Sequence, residues 1–394
     1  MPYKKSIQIY FYTLIASSFF MIIGFYIYDP LQIFHKPWGR DTTFNNNMRL
    51  QAAGIANNYT FDSLIIGSSI LENTSSQEAN DKLNGNFINI SLSGSSYYER
   101  LLIMRYFFKK HSIQKVIFSL DAGSYIHQTK DYPNYPLYLF DYLYDDSKLN
   151  DYKAYLTYDF LGCLLTYSED EQCIGRRTTL DRPNSWFMDK RVKERYGGLD
   201  KWFESENNNK RNAVYENILF QIQKISKGDT LALKNIDLKI LKAKQYVKTT
   251  VINFVKENPN TEFIMIFPPY ARIEYALWAQ YNLPYFEIHK AIIEYLTIES
   301  EKLPNLKIFA FGDQNFLDNI NYYKDTRHYH VSINSWMLSQ IQNNLGLLES
   351  KKLYLYLQKI TKKAKSYNFD TFREKINTYL NNHPSIIEPS KKRM

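Results

Sequence analysis

Two short stretches of this chain hold residue types that together support acyl transfer. Gly67-Ser68-Ser69 follows the apolar run Leu64-Ile65-Ile66, and Asp325-Thr326-Arg327-His328 lies near the opposite end. A strand that runs straight into a tight Gly-x-Ser turn lifts a serine hydroxyl above the sheet edge, where a helix N-terminus is expected to begin. An Asp three residues before a His on a late loop can orient that imidazole while it faces the serine. Nucleophile, base and orienting carboxylate are the parts of an acyl-serine site, which makes Ser69, His328 and Asp325 the candidate catalytic residues. Either motif alone is too short to exclude an ordinary loop. The weight lies in their conjunction, in chain order, with a strand before the serine.

The elements that must position them alternate. Apolar runs predict strands at Ser63–Ile66, Phe87–Ile90, Lys115–Leu120, Phe263–Phe267 and Lys307–Phe311, with helical patterns between them, among these Tyr97–His111 and Tyr285–Lys302. Strands alternating with helices of this length imply an α/β fold with a parallel sheet flanked by helices. In such sheets sites form at the carboxyl ends of the strands. Ser69, Gly94 and Asp121 each follow a strand end, and Asp325 and His328 lie in the loop after the fifth strand. All the candidates therefore fall on one rim.

Ser69 first and an Asp-x-x-His pair last resembles the SGNH (GDSL-like) hydrolase superfamily. Gly67-Ser68-Ser69 matches that family's opening Gly-Asp-Ser with Ser68 in place of the Asp, and Asn89-Ile90-Ser91-Leu92-Ser93-Gly94 matches the block whose glycine N–H helps bind the oxyanion. The third block, Gly-x-Asn-Asp, is missing: Asp121-Ala122-Gly123 stands there with no asparagine. The likeness covers roughly 60–345, with a long insertion. It implies an SGNH-like (flavodoxin-like) sheet, an oxyanion site at Gly94, and kinship with membrane-anchored SGNH-like proteins of cell-envelope polysaccharide acylation. It further implies an acetyl cargo, delivered by a polytopic membrane acyltransferase. Asn73, expected one helical turn past Ser69, is a candidate for the missing donor or a cap of the helix start.

Residues 7–28, Ile7 to Tyr28, form an almost unbroken apolar and aromatic stretch. At about 1.5 Å per residue that reaches roughly 33 Å, enough to cross a hydrocarbon core of about 30 Å. Lys4 and Lys5, within the tip 1–6, hold the N-terminus in the cytoplasm and send the rest out. A core this long without a small-x-small cleavage site reads as a signal anchor rather than a cleaved signal peptide. The expected placement is the bacterial inner membrane, with the main domain periplasmic. Cys163 and Cys173 would there either close a small disulfide loop or remain two thiols.

The remaining divisions are a linker at 29–60, the SGNH-like domain at 61–348 with an insertion of about 125–260, and a basic helical tail at 349–394. The insertion reads as helical over Asn212–Glu257 and overhangs the active rim as a substrate lid or partner-docking surface, or else is a helical layer that only covers the sheet. From Ser350 to Met394 there are 11 Lys and Arg against 3 Asp and Glu, leaving +8 of the chain's +9 in the tail. The basicity thus belongs to the tail, whose Leu353, Tyr354, Leu357 and Ile360 predict an amphipathic helix, followed by a short one around Phe372–Leu380. Anionic lipid headgroups or an acidic glycan suit it as partners, or it only solubilises a frayed end; an exported domain meets no nucleic acid. The 34 Tyr and 25 Phe supply faces on which sugar rings stack, or reflect a compositional habit shared with Asn, Ile and Lys. No dinucleotide or Walker glycine pattern and no metal-spaced His cluster occurs, so no cofactor and no metal is expected.

These readings converge on a membrane-anchored serine esterase or O-acyltransferase acting on ester-linked acyl groups, acetyl among them, of a surface polysaccharide through an acyl-serine intermediate. The rival is a non-catalytic factor of polysaccharide assembly that keeps the fold to bind a glycan or a partner, favoured by Ser68 and the lost third block.

Overall fold

The computed structural model describes residues 2–130, 135–203 and 208–382. Five strands, β1 (Ser63–Ile66), β2 (Phe87–Asn89), β3 (Lys115–Ser119), β4 (Glu262–Phe267) and β5 (Leu306–Ala310), form one sheet in the order β2-β1-β3-β4-β5. Every pairing is parallel, with Ile65 opposite Ile117 and Ile117 opposite Ile264. Strands covered on both faces must be apolar throughout rather than alternating. Leu64, Ile65, Ile66, Val116, Ile117 and Phe118 are accordingly all buried. The order 2-1-3-4-5 reverses direction between β1 and β3, where doubly wound sheets open a crevice at their carboxyl edge.

The N-terminal helix α1 (Pro2–Tyr28) is long and apolar enough to cross a membrane and is almost wholly unburied until its last turn. That turn is fastened to the domain. Phe25 stacks on Tyr155 at 5.4 Å, and the Tyr28 hydroxyl donates to the Ser168 carbonyl at 2.5 Å. The Asp29 carboxylate accepts the backbone N–H groups of Ile33, Phe34 and His35 and the Tyr155 hydroxyl. Cys163 and Cys173 are joined in a disulfide, with Cα atoms 5.6 Å apart, and pack against Tyr28.

The stretch 29–60 is not the free linker expected from sequence. It contains α2 (Met48–Asn58), whose Met48, Ala52, Ala53, Ile55 and Ala56 are buried in the core. Small residues give this helix a weak apolar signature although they let it approach its neighbours closely. Helix α3 (Ser76–Leu83) precedes β2, and α4 (Tyr97–Lys110) opens with a capping box in which Ser96 and Glu99 satisfy each other's backbone N–H groups. Helix α5 (Ala122–His127) follows β3 and begins the insertion.

The insertion is built differently in its two halves. The helix Ile236–Val247 continues through a wider turn, Lys248–Ile252, into Asn253–Glu257. It buries Val247, Val251 and Phe254, the last with its ring 6.0 Å from Phe263 of β4, so this half is a layer on the sheet. The earlier half packs against the end of α1 through Cys163 and Cys173 and reaches the carboxyl edge of the sheet, where Trp186 and Phe187 contact the loop after β1.

The basic tail is likewise part of the fold. Helix Ser350–Lys365 buries Leu353, Tyr356, Ile360 and Ala364, while Tyr354, expected on that face, is exposed. Gly312 N–H donates to the Tyr356 hydroxyl at 3.0 Å, and Gln280 Nε2 to the Ala364 carbonyl at 2.8 Å. In the next helix, Asp370–Asn382, Phe372 packs 6.0 Å from Trp202 of the insertion. The basic residues at 391–393 lie outside the described residues.

Candidate active site

Because all five strands are parallel, the loops after them share one edge, and all five contribute to the site. After β1 the chain turns without forming the helix expected from sequence. Residues 68–74 make two tight turns, closed by Leu71 N–H to the Ser68 carbonyl (3.1 Å) and Thr74 N–H to the Leu71 carbonyl (2.9 Å), and α3 starts only at Ser76. Gly67 is required by close approach: a Cβ there would lie 2.5 Å from Ser119 Oγ and 2.9 Å from Leu71.

Ser69 Oγ lies 2.8 Å from His328 Nε2, and His328 Nδ1 lies 2.9 Å from both carboxylate oxygens of Asp325. Asp325 Oδ1 also accepts the backbone N–H groups of Arg327 (2.9 Å) and His328 (2.8 Å), which folds the loop around its own carboxylate. Burial opposes the Asp325 charge, but His328, its hydrogen bonds and Lys324 outweigh it and hold the carboxyl well below its ordinary range. An ionised carboxylate can only accept, so Nδ1 carries the proton and Nε2 is left as acceptor for the Ser69 hydroxyl. Three residues separated by some 260 positions thus form one proton path.

The turn is held from two sides. On one, the Ser69 carbonyl accepts Trp186 Nε1–H at 2.7 Å, and the indole meets the His328 ring edge-on at 5.7 Å. Lys324 Nζ lies 3.6 Å from the centre of that indole, a cation–π contact. On the other, Ser68 Oγ donates to Asp121 Oδ1 at 2.7 Å, Ser119 Oγ to Oδ2 at 2.6 Å, and Arg100 to Oδ2 at 2.6 Å. Arg100 is fully buried and also donates to the Ser119 carbonyl and to Ser95. A buried pair of this kind is weak evidence for stability in itself, but removing one partner leaves the other charge stranded at a cost of about 3–5 kcal/mol. Ser68, at the position where the sequence comparison expected Asp, is therefore a strut rather than a chemical group.

Ser69 and Gly94 line one cavity of about 420 Å3, together with Ser95, Ser124, Tyr270 and His328. Gly94 has φ +66°, a conformation that favours glycine, and among the described residues neither its N–H nor that of Ser69 donates to another protein group. Both are thus available to an oxyanion. Asn73 is not. Its side chain is buried away from this cavity, where Oδ1 accepts Ser185 Oγ at 2.8 Å and Phe187 N–H at 3.3 Å. The expected donor is instead the clamp for the insertion segment that carries Trp186; without a helix after Ser69, one-turn spacing no longer points it at the rim. Glu72 lies in the same turn, hydrogen-bonded to the backbone of Ser93 next to Gly94, and burial pushes its carboxyl up to about 8 against the pull of Lys324.

Sequence reasoning missed Trp186, Arg100 and the strut role of Ser68, because each acts through a partner far away in the chain. The one available signal was Asp121 directly after a strand end, an acidic residue with no role in the assigned chemistry. Among the described residues no group of His, Cys, Asp and Glu has the arrangement of a metal site. No family model matches the chain, and neither a curated protein nor a solved structure does.

Proposed function

We propose that this protein is a membrane-anchored serine acyl-ester enzyme, an esterase or O-acyltransferase acting on ester-linked acyl groups, acetyl among them, of a cell-surface polysaccharide. The observation that carries the reading is the unbroken Ser69–His328–Asp325 relay on the rim of a parallel sheet. In the first half-reaction Ser69 Oγ attacks the ester carbonyl as its proton passes to His328 Nε2. The N–H groups of Ser69 and Gly94 receive the developing oxyanion, and Asp325 stabilises the imidazolium. His328 then protonates the departing alkoxide, leaving acyl-Ser69. In the second half a water or a sugar hydroxyl reverses these steps.

The small residues around the nucleophile, Gly94, Ser95 and Ser124, favour a short acyl group. Lys4 and Lys5 before the apolar helix, and the Cys163–Cys173 disulfide after it, support an exported domain on the oxidising side of a bacterial inner membrane, facing the periplasm. A polytopic membrane acyltransferase fits as the source of the acyl group. The test is to mix purified full-length protein with p-nitrophenyl acetate, quench with acid and map the adduct by mass spectrometry. Acetyl on the peptide bearing Ser69 is expected; acetyl on no serine, with no turnover, would leave a non-catalytic binding factor.

A further inference from the structure

A second cavity, of about 590 Å3, opens beside the first. Its walls are the insertion helix Asn208–Ser226, the helix Arg272–Gln280 that follows β4, the start of the helix Leu283–Lys302, and the loop Asp325–His328. Three residues, His127, Arg327 and His328, line both cavities, so the two spaces meet at the base of the relay. The volume falls in the range of about 300–1,000 Å3 typical of sites for small molecules.

The lining narrows the ligand. Aromatic rings stand at the wall: Phe220 is 46 % exposed with its ring 6.2 Å from Tyr281 at 87°, and Tyr285 meets His127 at 5.5 Å and 82°. Between them lie the planar polar groups of Asn217, Gln221 and Asn282. A hydrocarbon ligand would strand those amides without partners, which disfavours it. A phosphate or other strong anion would need a spare cation. Arg327 is neutralised by Glu274, at 2.7 Å through Nε and 2.6 Å through the terminal nitrogen, and Arg195 lies 4.0 Å from Asp325 with one terminal nitrogen on the Lys324 carbonyl. Arg195 Nε, buried in the wall, has no partner. Exposed ring faces, amide donors and acceptors, and balanced charge are the features that recognise a neutral ring bearing many hydroxyls.

We infer that this cavity is the subsite for the sugar whose hydroxyl gives or takes the acyl group, and that its ligand is a neutral glycan segment. The inference rests on the acyl-serine reading above. A ring seated between Phe220, Tyr281 and Tyr285 presents a hydroxyl toward His328 through the shared opening. Nε2 removes its proton, the sugar oxygen attacks the carbonyl of acyl-Ser69, and the C–O bond to Ser69 breaks. The proton then passes from Nε2 to Ser69 Oγ, so the products are the sugar ester and free serine. The insertion thereby supplies specificity, while the sheet rim supplies the reaction.

The experiment uses the full-length Ser69→Ala chain in detergent, where no turnover can occur, with cellotetraose, chitotetraose and a tetrameric polyuronate as probes. Binding is read by titration calorimetry, alone and with Phe220→Ala or Asn217→Ala added; both residues are exposed, and thermal unfolding checks that each variant folds. A neutral tetrasaccharide is expected to bind, and each substitution to weaken it about tenfold, the loss of one good contact. Absence of binding by both neutral probes, binding of the polyuronate alone, or affinity unmoved by both substitutions overturns the inference. Failure of acyl-Ser69 trapping in the wild-type chain is a separate result: it removes the acyl chemistry while leaving a glycan site standing.

Discussion

Glu72→Gln should stabilise the protein progressively as the pH rises. In the unfolded chain Glu72 ionises near its ordinary 4.5, whereas in the fold burial keeps it protonated up to about 8. Between those values the native state holds a proton the unfolded state has lost, so the group's contribution to stability falls as pH rises, by about 1.4 kcal/mol per pH unit. Relative to pH 4.5 the loss at pH 7 is on the order of 3 kcal/mol, and above pH 8 it levels off. Glutamine keeps an acceptor for the Ser93 backbone but has no proton to lose. The difference between variant and wild type should thus be flat below pH 4.5, rise through the window, and flatten again. At roughly 2 °C per kcal/mol, thermal unfolding of the detergent-solubilised chains should show a gain of about 6 °C at pH 7 over that at pH 4.5. A fixed offset from the exchange of acid for amide leaves this slope untouched. A difference that does not change with pH would refute the buried, proton-retaining Glu72 and with it the packing beneath the Gly94 loop.

Other changes probe the relay and its supports. Asp325→Asn should leave the fold near native but lower turnover of an activated ester by about 10⁴, because the amide no longer fixes the Nδ1–H tautomer; loss of less than tenfold would exclude a triad. Ser68→Ala removes one hydrogen bond to the Asp121 carboxylate and should lower stability by about 1.5–3 kcal/mol in denaturant titration while retaining Ser69 acylation. If Ser68→Ala abolished acylation, the nucleophile would be misassigned by one residue. Replacing Cys163 and Cys173 by Ser should lower stability by roughly 3 kcal/mol, and thiol alkylation of the unreduced wild type should find neither cysteine free.

The sheet was legible because its strands are buried on both faces and therefore stand out as apolar runs; no observed strand end lies more than one residue from the expected one. The three chemical groups were legible for a related reason, since each follows a strand terminus and parallel strands bring their carboxyl ends together. What sequence hid depends on pairing across distance. Nothing near Arg100 announces that its guanidinium will lie under Asp121, or near Trp186 that its indole will hold the Ser69 carbonyl. Helix α2 escaped because Ala52, Ala53 and Ala56 pack well without being strongly apolar. Asn73 was misplaced by assuming a helix after Ser69, where the chain instead takes two tight turns and swings the amide toward Ser185. The tail misled by its charge: its lysines occupy the outer face of a helix whose inner face, Leu353, Tyr356 and Ile360, closes the core.

The most direct test of the central claim is reaction of the purified full-length protein with a fluorophosphonate, which labels only a serine whose proton a neighbouring base removes. The wild-type chain should be labelled at Ser69, with labelling lost in Ser69→Ala and strongly reduced in His328→Ala. A folded wild-type chain that takes no label, or a Ser69→Ala chain labelled as fast as wild type, would contradict the account.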